Sequence, residues 1–355
     1  MASESQVHAA EIGAPAAAGD HGRSYPRYRV SVREYVRFRR DGFLVVPGLI
    51  PPEDVAELVA HCEEIVAGKV GREQLGEHVQ YADADQAERR YNRIHMLHRH
   101  LPIHERYLLH PRILDVLEAL IGPDVLALQT MLFLKPPGAD GQGYHQDSYY
   151  IPTLPDTLCG AWIALDRADE ENGCLWFTAG SQAEPVYPDS RNVDALYPGA
   201  RPEGLRLVEH VSDTDEERNG LTPVARQYAG ETPGIVDPGD VVFFGGHILH
   251  RSLRNRSATR YRRSFVSHYC NARSYTEWDY GSVPGIANGR HILARGSTHL
   301  PFAQPLFGTP CAANRPEERR ARDQGAPTMM ADPASGNMEA MATEAARLDP
   351  ASHDD

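Results

Sequence analysis

The chain predicts a mainly β domain with flanking helices, built as an antiparallel barrel or double-sheet roll. Three observations carry this. Helical periodicities fill the first third of the chain, short apolar runs bounded by Gly, Pro and Asp replace them after about residue 125, and no segment repeats another. The order, helices first and many short strands later, suits a sheet domain clad by helices rather than an alternating α/β fold.

Ser31 to Arg40 reads as a helix that runs into the turn Asp41-Gly42 and the short strand Phe43 to Val46. Pro51-Pro52-Glu53-Asp54 starts a second helix reaching about Ala67, with prolines at its first turn and acids at its positive dipole end. Its apolar positions Val55, Leu58, Val59, Cys62 and Val66 share one face. Pro111 to Ile121 is a third helix, closed by Gly122-Pro123. Strands are expected at Val125–Lys135, Gly160–Asp166, Gly173–Thr178, Gly234–Asp237, Asp240–Gly245 and Ser264–Asn271. The working domain spans about 29–310. Residues 1–28 read as a flexible arm, 185–232 as a lid-like insertion and 311–355 as a weakly ordered tail.

Composition removes several classes of function. A formal charge of −13 opposes nucleic acid as the main partner, because phosphate binding needs a basic stripe. No stretch approaches the ~20 apolar residues of a membrane span. Cys62, Cys159, Cys174, Cys270 and Cys311 lack CxxC spacing, and an odd, sparse set reads as reduced thiols in a cytoplasm. The N-terminus shows neither a basic nor an apolar signal region.

One constellation carries chemistry. His145-Gln146-Asp147 places two metal-binding side chains at i and i+2, which a strand aims to one side while Gln146 points away. Following the loop 136–143, with its two prolines and three glycines, the pair should open a strand at a sheet's rim. The turn Pro238-Gly239-Asp240 and the apolar strand after it lead to His247 and His250, of which His250 is the better third ligand and His247 the packed neighbour. Two imidazoles and a carboxylate leave about three positions of an octahedral Fe(II) open for substrates and oxygen. Downstream, Ser252 and the Arg262-Arg263 pair precede a strand, and an arginine there suits a dicarboxylate's far carboxylate. Arg263 faces the other way and reads as a solvated surface group.

These residues give the chain a family resemblance. It resembles the phytanoyl-CoA dioxygenase family over roughly 30–310, through Arg40 to Gly48, Gln129 to Asp147, Trp162 to Asp166, Glu171 to Leu175, Gly180-Ser181 and Gly239 to Arg262. The resemblance implies a double-stranded β-helix (a jelly-roll, cupin-like fold) and an Fe(II)-dependent dioxygenase using 2-oxoglutarate and O2 as cosubstrates. It puts the iron ligands on His145, Asp147 and His250, and the 2-oxoglutarate contacts on Arg262 and Ser252. Gln129, Met131 and Trp162 would line the same pocket, with ordinary core packing as the alternative. The spacing from His250 to Arg262 is one residue longer than the family pattern, which makes Arg260 the substitute, and an upstream basic residue would fall near Arg93. Family halogenases carry a small residue where Asp147 stands, so hydroxylation or another oxidation of a small-molecule metabolite is expected, with succinate and CO2 released. An acyl-CoA hydroxylase, a zinc hydrolase and a catalytically silent binding protein are the alternatives. Tyr144, Tyr149, Tyr150 and Trp176 are candidates for lining the substrate pocket.

Overall fold

A computed structural model describes residues 23–70, 75, 79–81, 91–188, 207–276, 278, 291–296 and 298. The tail 311–355, most of the arm 1–28 and residues 189–206 of the insertion lie outside the described residues. The elements in chain order are α1 (Val32–Asp41), β1 (Phe43–Val46), α2 (Pro52–Val66), β2 (Val79–Tyr81), β3 (Tyr91–His95), α3 (Pro102–Leu108) and α4 (Pro111–Ile121). There follow β4 (Val125–Lys135), β5 (Gln142–His145), α5 (Asp147–Tyr150), β6 (Cys159–Ala164), β7 (Leu175–Phe177), α6 (Thr222–Ala225) and β8 (Thr232–Gly234). β9 (Val241–Gly245), β10 (His250–Ser252), β11 (Arg262–Asn271) and β12 (Ile292–Arg295) complete the set. Local chemistry sets several boundaries. Ser31 and Glu34 form a capping box at the start of α1, and Gly42, at φ +84°, ends it with its N–H donating to the Phe38 carbonyl.

The strands form two sheets, β1-β9-β6-β11-β4-β3-β2, with β12 also on β4, and β5-β10-β7-β8. Pairing is antiparallel throughout. Helices α2, α3 and α4 cover the outer face of the larger sheet. Leu58, Cys62, Tyr107 and Leu117 there meet Leu132, Leu134, Phe243 and Phe265 from the strands. A second core, with Phe43, Trp162, Phe177, Phe244 and Val266, fills the space between the two sheets. Each fully buried side chain of this size contributes about 1.5–3 kcal/mol. The fold is a double-stranded β-helix.

A bulge decides what the interior contains. Along the β11–β4 ladder His268 faces Gln129 but Tyr269 faces Ala127, so Leu128 is the extra residue. Below it Val125 and Ala127 join the helix-side core; above it Leu132 and Leu134 do, leaving Gln129, Met131, Phe133 and Lys135 on the inner face. Their partners across the ladder are His268, Val266, Ser264 and Arg262.

Two local expectations are corrected. His145 closes β5 instead of opening a strand, and Asp147 is the first residue of the helical turn α5. The chain leaves the sheet because the Gln146 and Asp147 carbonyls accept from Tyr149 and Ile151, while Ser148 N–H donates to Gly246. His250, read from the sequence as lying where the apolar strand of β9 frays into a basic loop, instead starts the separate strand β10, in the smaller sheet.

Candidate active site

Strand pairing brings the histidines together: His250 stands opposite His145 in the β10–β5 ladder, their rings 4.1 Å apart. Each imidazole is oriented by its own backbone. His145 Nδ1 lies 2.8 Å from the Gly143 carbonyl, and His250 Nδ1 lies 3.1 Å from the Ile248 carbonyl. A carbonyl can only accept, so Nδ1 carries the proton in both rings and each Nε2 keeps a lone pair. Those two Nε2 atoms sit 3.6 and 3.7 Å from Asp147 Oδ1, and the three ligand atoms all fall within 4.8 Å of one another.

A residue the sequence reading passed over finishes the arrangement. His268 on β11 approaches the other carboxylate oxygen, Nε2 to Oδ2 at 2.8 Å, while its Nδ1 lies 3.0 Å from Gln129 Nε2. Gln129 donates to His268 and His268 donates to Asp147, which leaves Oδ1 for a metal. Burial disfavours charge on Asp147, yet His250, His268 and His145 outweigh it and hold the carboxyl below the ordinary range. Burial, with His250 beside it, pushes His145 down to about 3 against the pull of Asp147, so the ring is a neutral donor. Gln146 points away as expected, its amide donating to the Pro185 and His247 carbonyls.

The donor set fits a metal ion: two lone pairs and one carboxylate oxygen converge, and every other polar atom of the three side chains has a partner. A cradle lies further along the same inner face. Arg262 is 3% exposed and pushed down to about 10 by burial. Its guanidinium rests over Phe133 and Trp162 at 5.7 and 5.5 Å, Nη1 donates to Ser264, and Nε is buried without a partner. Among the described residues no carboxylate pairs with it. Arg263 instead takes Asp166, and Arg260 takes Asp169 and Glu171 at the surface. The structure thus separates Arg262 from its substitute Arg260. Ser252 Oγ accepts from both Lys135 Nζ and Gln142 N–H at 3.3 Å, so its own hydroxyl proton is left to donate elsewhere.

Other expected residues divide. Trp162 and Met131 belong to the inter-sheet core. Arg93 sits over Phe133 at 5.3 Å on that same inner face. Tyr150 lies 6.2 Å from the His145 ring and bonds Ser212, and Tyr149 stacks edge-on against it. Tyr144 is turned away: it packs with Val208, Leu221 and Leu249 behind the smaller sheet, under Arg251. Trp176 pairs with Arg251, opposite in parity to His250, and is half-buried against the edge of the inter-sheet core. His247 bonds Asp156 at 2.8 Å and the Glu184 carbonyl, a packed neighbour rather than a ligand. The described end of the insertion, from residue 207, docks on the edge of β5 through Gly143 N–H to Ser212 and Ser212 N–H to Tyr144.

Comparison with known proteins agrees with this geometry. The phytanoyl-CoA dioxygenase (PhyH) profile matches residues 38–264. The chain is 26% identical over 268 residues to peroxisomal phytanoyl-CoA dioxygenase of Rattus norvegicus, covering 73% of this chain and 72% of that one. It is also 26% identical over 272 residues to phytanoyl-CoA dioxygenase domain-containing protein 1 of Danio rerio, covering 64% and 87%. Among solved structures it is similar to EctD from S. alaskensis with bound Fe (TM-score 0.54, 19% identity, 73% of this chain and 82% of that chain). It is similar as well to the epimerase SnoN in complex with Fe3+, alpha ketoglutarate and nogalamycin RO (TM-score 0.54, 22% identity, 77% and 94%). No described helix is long and apolar enough to cross a membrane. With a profile that covers well over half its length, and a buried site to match, this chain belongs to the phytanoyl-CoA dioxygenase family.

Proposed function

We propose that the protein is an Fe(II)- and 2-oxoglutarate-dependent dioxygenase that hydroxylates, or otherwise oxidises, a small-molecule metabolite and releases succinate and CO2. The observation that carries this is the pairing of a His-Asp-His set with a buried, acid-free guanidinium on one inner face. A zinc hydrolase needs the first feature but not the second.

His145, Asp147 and His250 would hold the iron, which when bound supplies oxygen activation. The protein's own residues do the rest. The β5–β10 ladder fixes both imidazoles, and His268 with Gln129 fixes the carboxylate. Arg262 and the Ser252 hydroxyl would hold the far carboxylate of 2-oxoglutarate, the guanidinium by a two-point grip that a lysine cannot copy. Trp162, Phe133 and Met131 wall that carboxylate from water, which strengthens its charge–charge contacts. Tyr150, beside His145, is placed to meet the primary substrate, and Arg93, over the same Phe133 ring as Arg262, is the upstream basic residue that would help hold 2-oxoglutarate. The buried, scattered thiols support a reducing, cytoplasmic setting.

A second reading, an acyl-CoA hydroxylase, draws on the names of the relatives at 26% identity. The overall charge of −13 weighs against a polyanionic thioester. Succinate release, measured against a panel of metabolites and acyl-CoA thioesters under Fe(II) and 2-oxoglutarate, decides between them. Anaerobic addition of Fe(II) and then 2-oxoglutarate should give a weak visible charge-transfer band. If no band appears and no succinate forms, the oxygenase reading fails.

A further inference from the structure

Lys135 has no part in the chemistry above, although it ends β4 beside Arg262. It is 2% exposed. Its Nζ donates to Ser252 Oγ at 3.3 Å and to the Leu253 carbonyl. Gly173, at φ +80°, makes room for it: a Cβ there would come within 2.8 Å of Nζ and 2.5 Å of the Leu253 oxygen. The charged and titratable groups around it are Arg262 across the ladder, the Cys174 thiol and, in the loop after β4, Asp140. Asp140 is exposed and faces Arg254, and the thiol is pushed up to about 11 by burial, so neither supplies a buried negative charge. Asp166 and Asp169 are held by Arg263 and Arg260.

Hydrogen-bond accounting gives the resting state of this group. A neutral amine has two N–H donors, and two acceptors stand at Nζ. An ammonium has three, and among the described residues no third acceptor is recorded. Burial, reinforced by Arg262, pushes Lys135 down to about 6. A carboxylate entering between Arg262 and the Ser252 hydroxyl would provide both the missing acceptor and the missing charge.

We infer that Lys135 rests uncharged, takes a proton from the buffer when the far carboxylate of the 2-oxo diacid enters, and then grips that carboxylate beside Arg262 and Ser252. This rests on the oxygenase reading above. Its consequence is a cosubstrate affinity coupled to pH. Only the protonated amine completes the grip, so affinity falls as pH rises above about 6, by close to tenfold per pH unit. It also makes the far carboxylate the trigger, since a 2-oxo monoacid reaches the metal without meeting Lys135.

The test is calorimetry on the Mn(II)-loaded full chain at pH 7.5, in two buffers of different ionisation enthalpy. 2-Oxoglutarate should take up nearly one proton. Pyruvate, which carries the same 2-oxo acid group but lacks a far carboxylate, should take up none. This wild-type comparison needs no variant, so misfolding cannot mask it. Lys135→Met should abolish the uptake and flatten the dependence of Kd on pH from 6.5 to 8.5. Lys135→Arg, permanently charged, should flatten it too. Binding of 2-oxoglutarate without a proton, or uptake retained in Lys135→Met, overturns the inference while leaving the oxygenase reading intact. If pyruvate and 2-oxoglutarate both fail to bind, the oxygenase reading falls and takes this inference with it.

Discussion

At the scale of single residues, the site works because each ligand atom is left over after its side chain has met its other obligations. Asp147 is the clearest case: His268 occupies one oxygen and the metal is offered the other. Asp147→Ala deletes the only anionic ligand of the set, so Fe(II) retention after gel filtration should collapse and 2-oxoglutarate turnover with it. His268→Phe keeps the three ligands but frees the carboxylate to rotate. Loss of such a supporting bond typically weakens metal affinity about 10- to 100-fold, which Mn(II) titration would measure. Arg262→Lys retains a charge but loses the two-point grip. At about 1.5–3 kcal/mol for a charged hydrogen bond, the KM for 2-oxoglutarate should rise by roughly one to two orders of magnitude. An unchanged KM would remove Arg262 from the cosubstrate pocket. A His-x-Asp triplet is common by chance, so His145, Asp147 and His250 were legible only jointly, from the turn and apolar strand that lead to the distant histidine and from the family pattern around all three. His268 was not, because it sits inside an apolar run where only the inward parity of its strand gives it meaning, while the face that Lys135 shares with Gln129, Met131 and Phe133 was legible but its contacts across the sheet were not.

At the scale of elements, strands that carry an apolar run were legible, down to the four residues of β1, and β5 and β10 were not. The expected limits of β4 and α4 match the structure residue for residue, since a run of eleven apolar-rich residues or a capped amphipathic helix carries its own signal. β5 and β10, with four and three residues, carry the two candidate ligand histidines but too little sequence to announce themselves. They exist because neighbouring strands pair with them. The bulge at Leu128 is invisible to periodicity as well, although it selects which residues of β4 face the site. Packing between the elements reaches the metal. Gly160 on β6 accepts the Phe244 ring, and Phe244 in turn lies 5.0 Å from the His250 ring. A Cβ at Gly160 would come within 2.7 Å of that ring. Gly160→Ala should therefore cost about 1–3 kcal/mol, seen as a lower urea midpoint, and should also weaken Mn(II) binding by displacing His250. A variant with unaltered stability and metal affinity would show the contact to be slack.

At the scale of the whole molecule, the two sheets divide the labour. The larger sheet and its helices make the main core, and its inner face carries Arg262 and the proposed cosubstrate cradle; the smaller sheet carries the two candidate ligand histidines. A metal held by His145, His250 and Asp147 would tie the smaller sheet to the α5 turn, whose carboxylate His268 already joins to the larger sheet, so saturating Mn(II) should raise the unfolding temperature. At 1,000 times Kd the gain is about 4 kcal/mol, readable as a shift of several degrees that EDTA reverses. The overall class was legible because strand-rich sequence follows helix-rich sequence; the handing of β9 and β10 to different sheets was not, since a single Gly246-His247 turn accomplishes it. Asp147 stands outside the ladder that holds the histidines, on a turn of its own. The anionic third of the coordination sphere is thus a detachable part: Asp147→Gly would vacate a coordination position and leave both neighbouring strands paired. A scaffold assembled this way lets the residue at that position change without rebuilding the sheet.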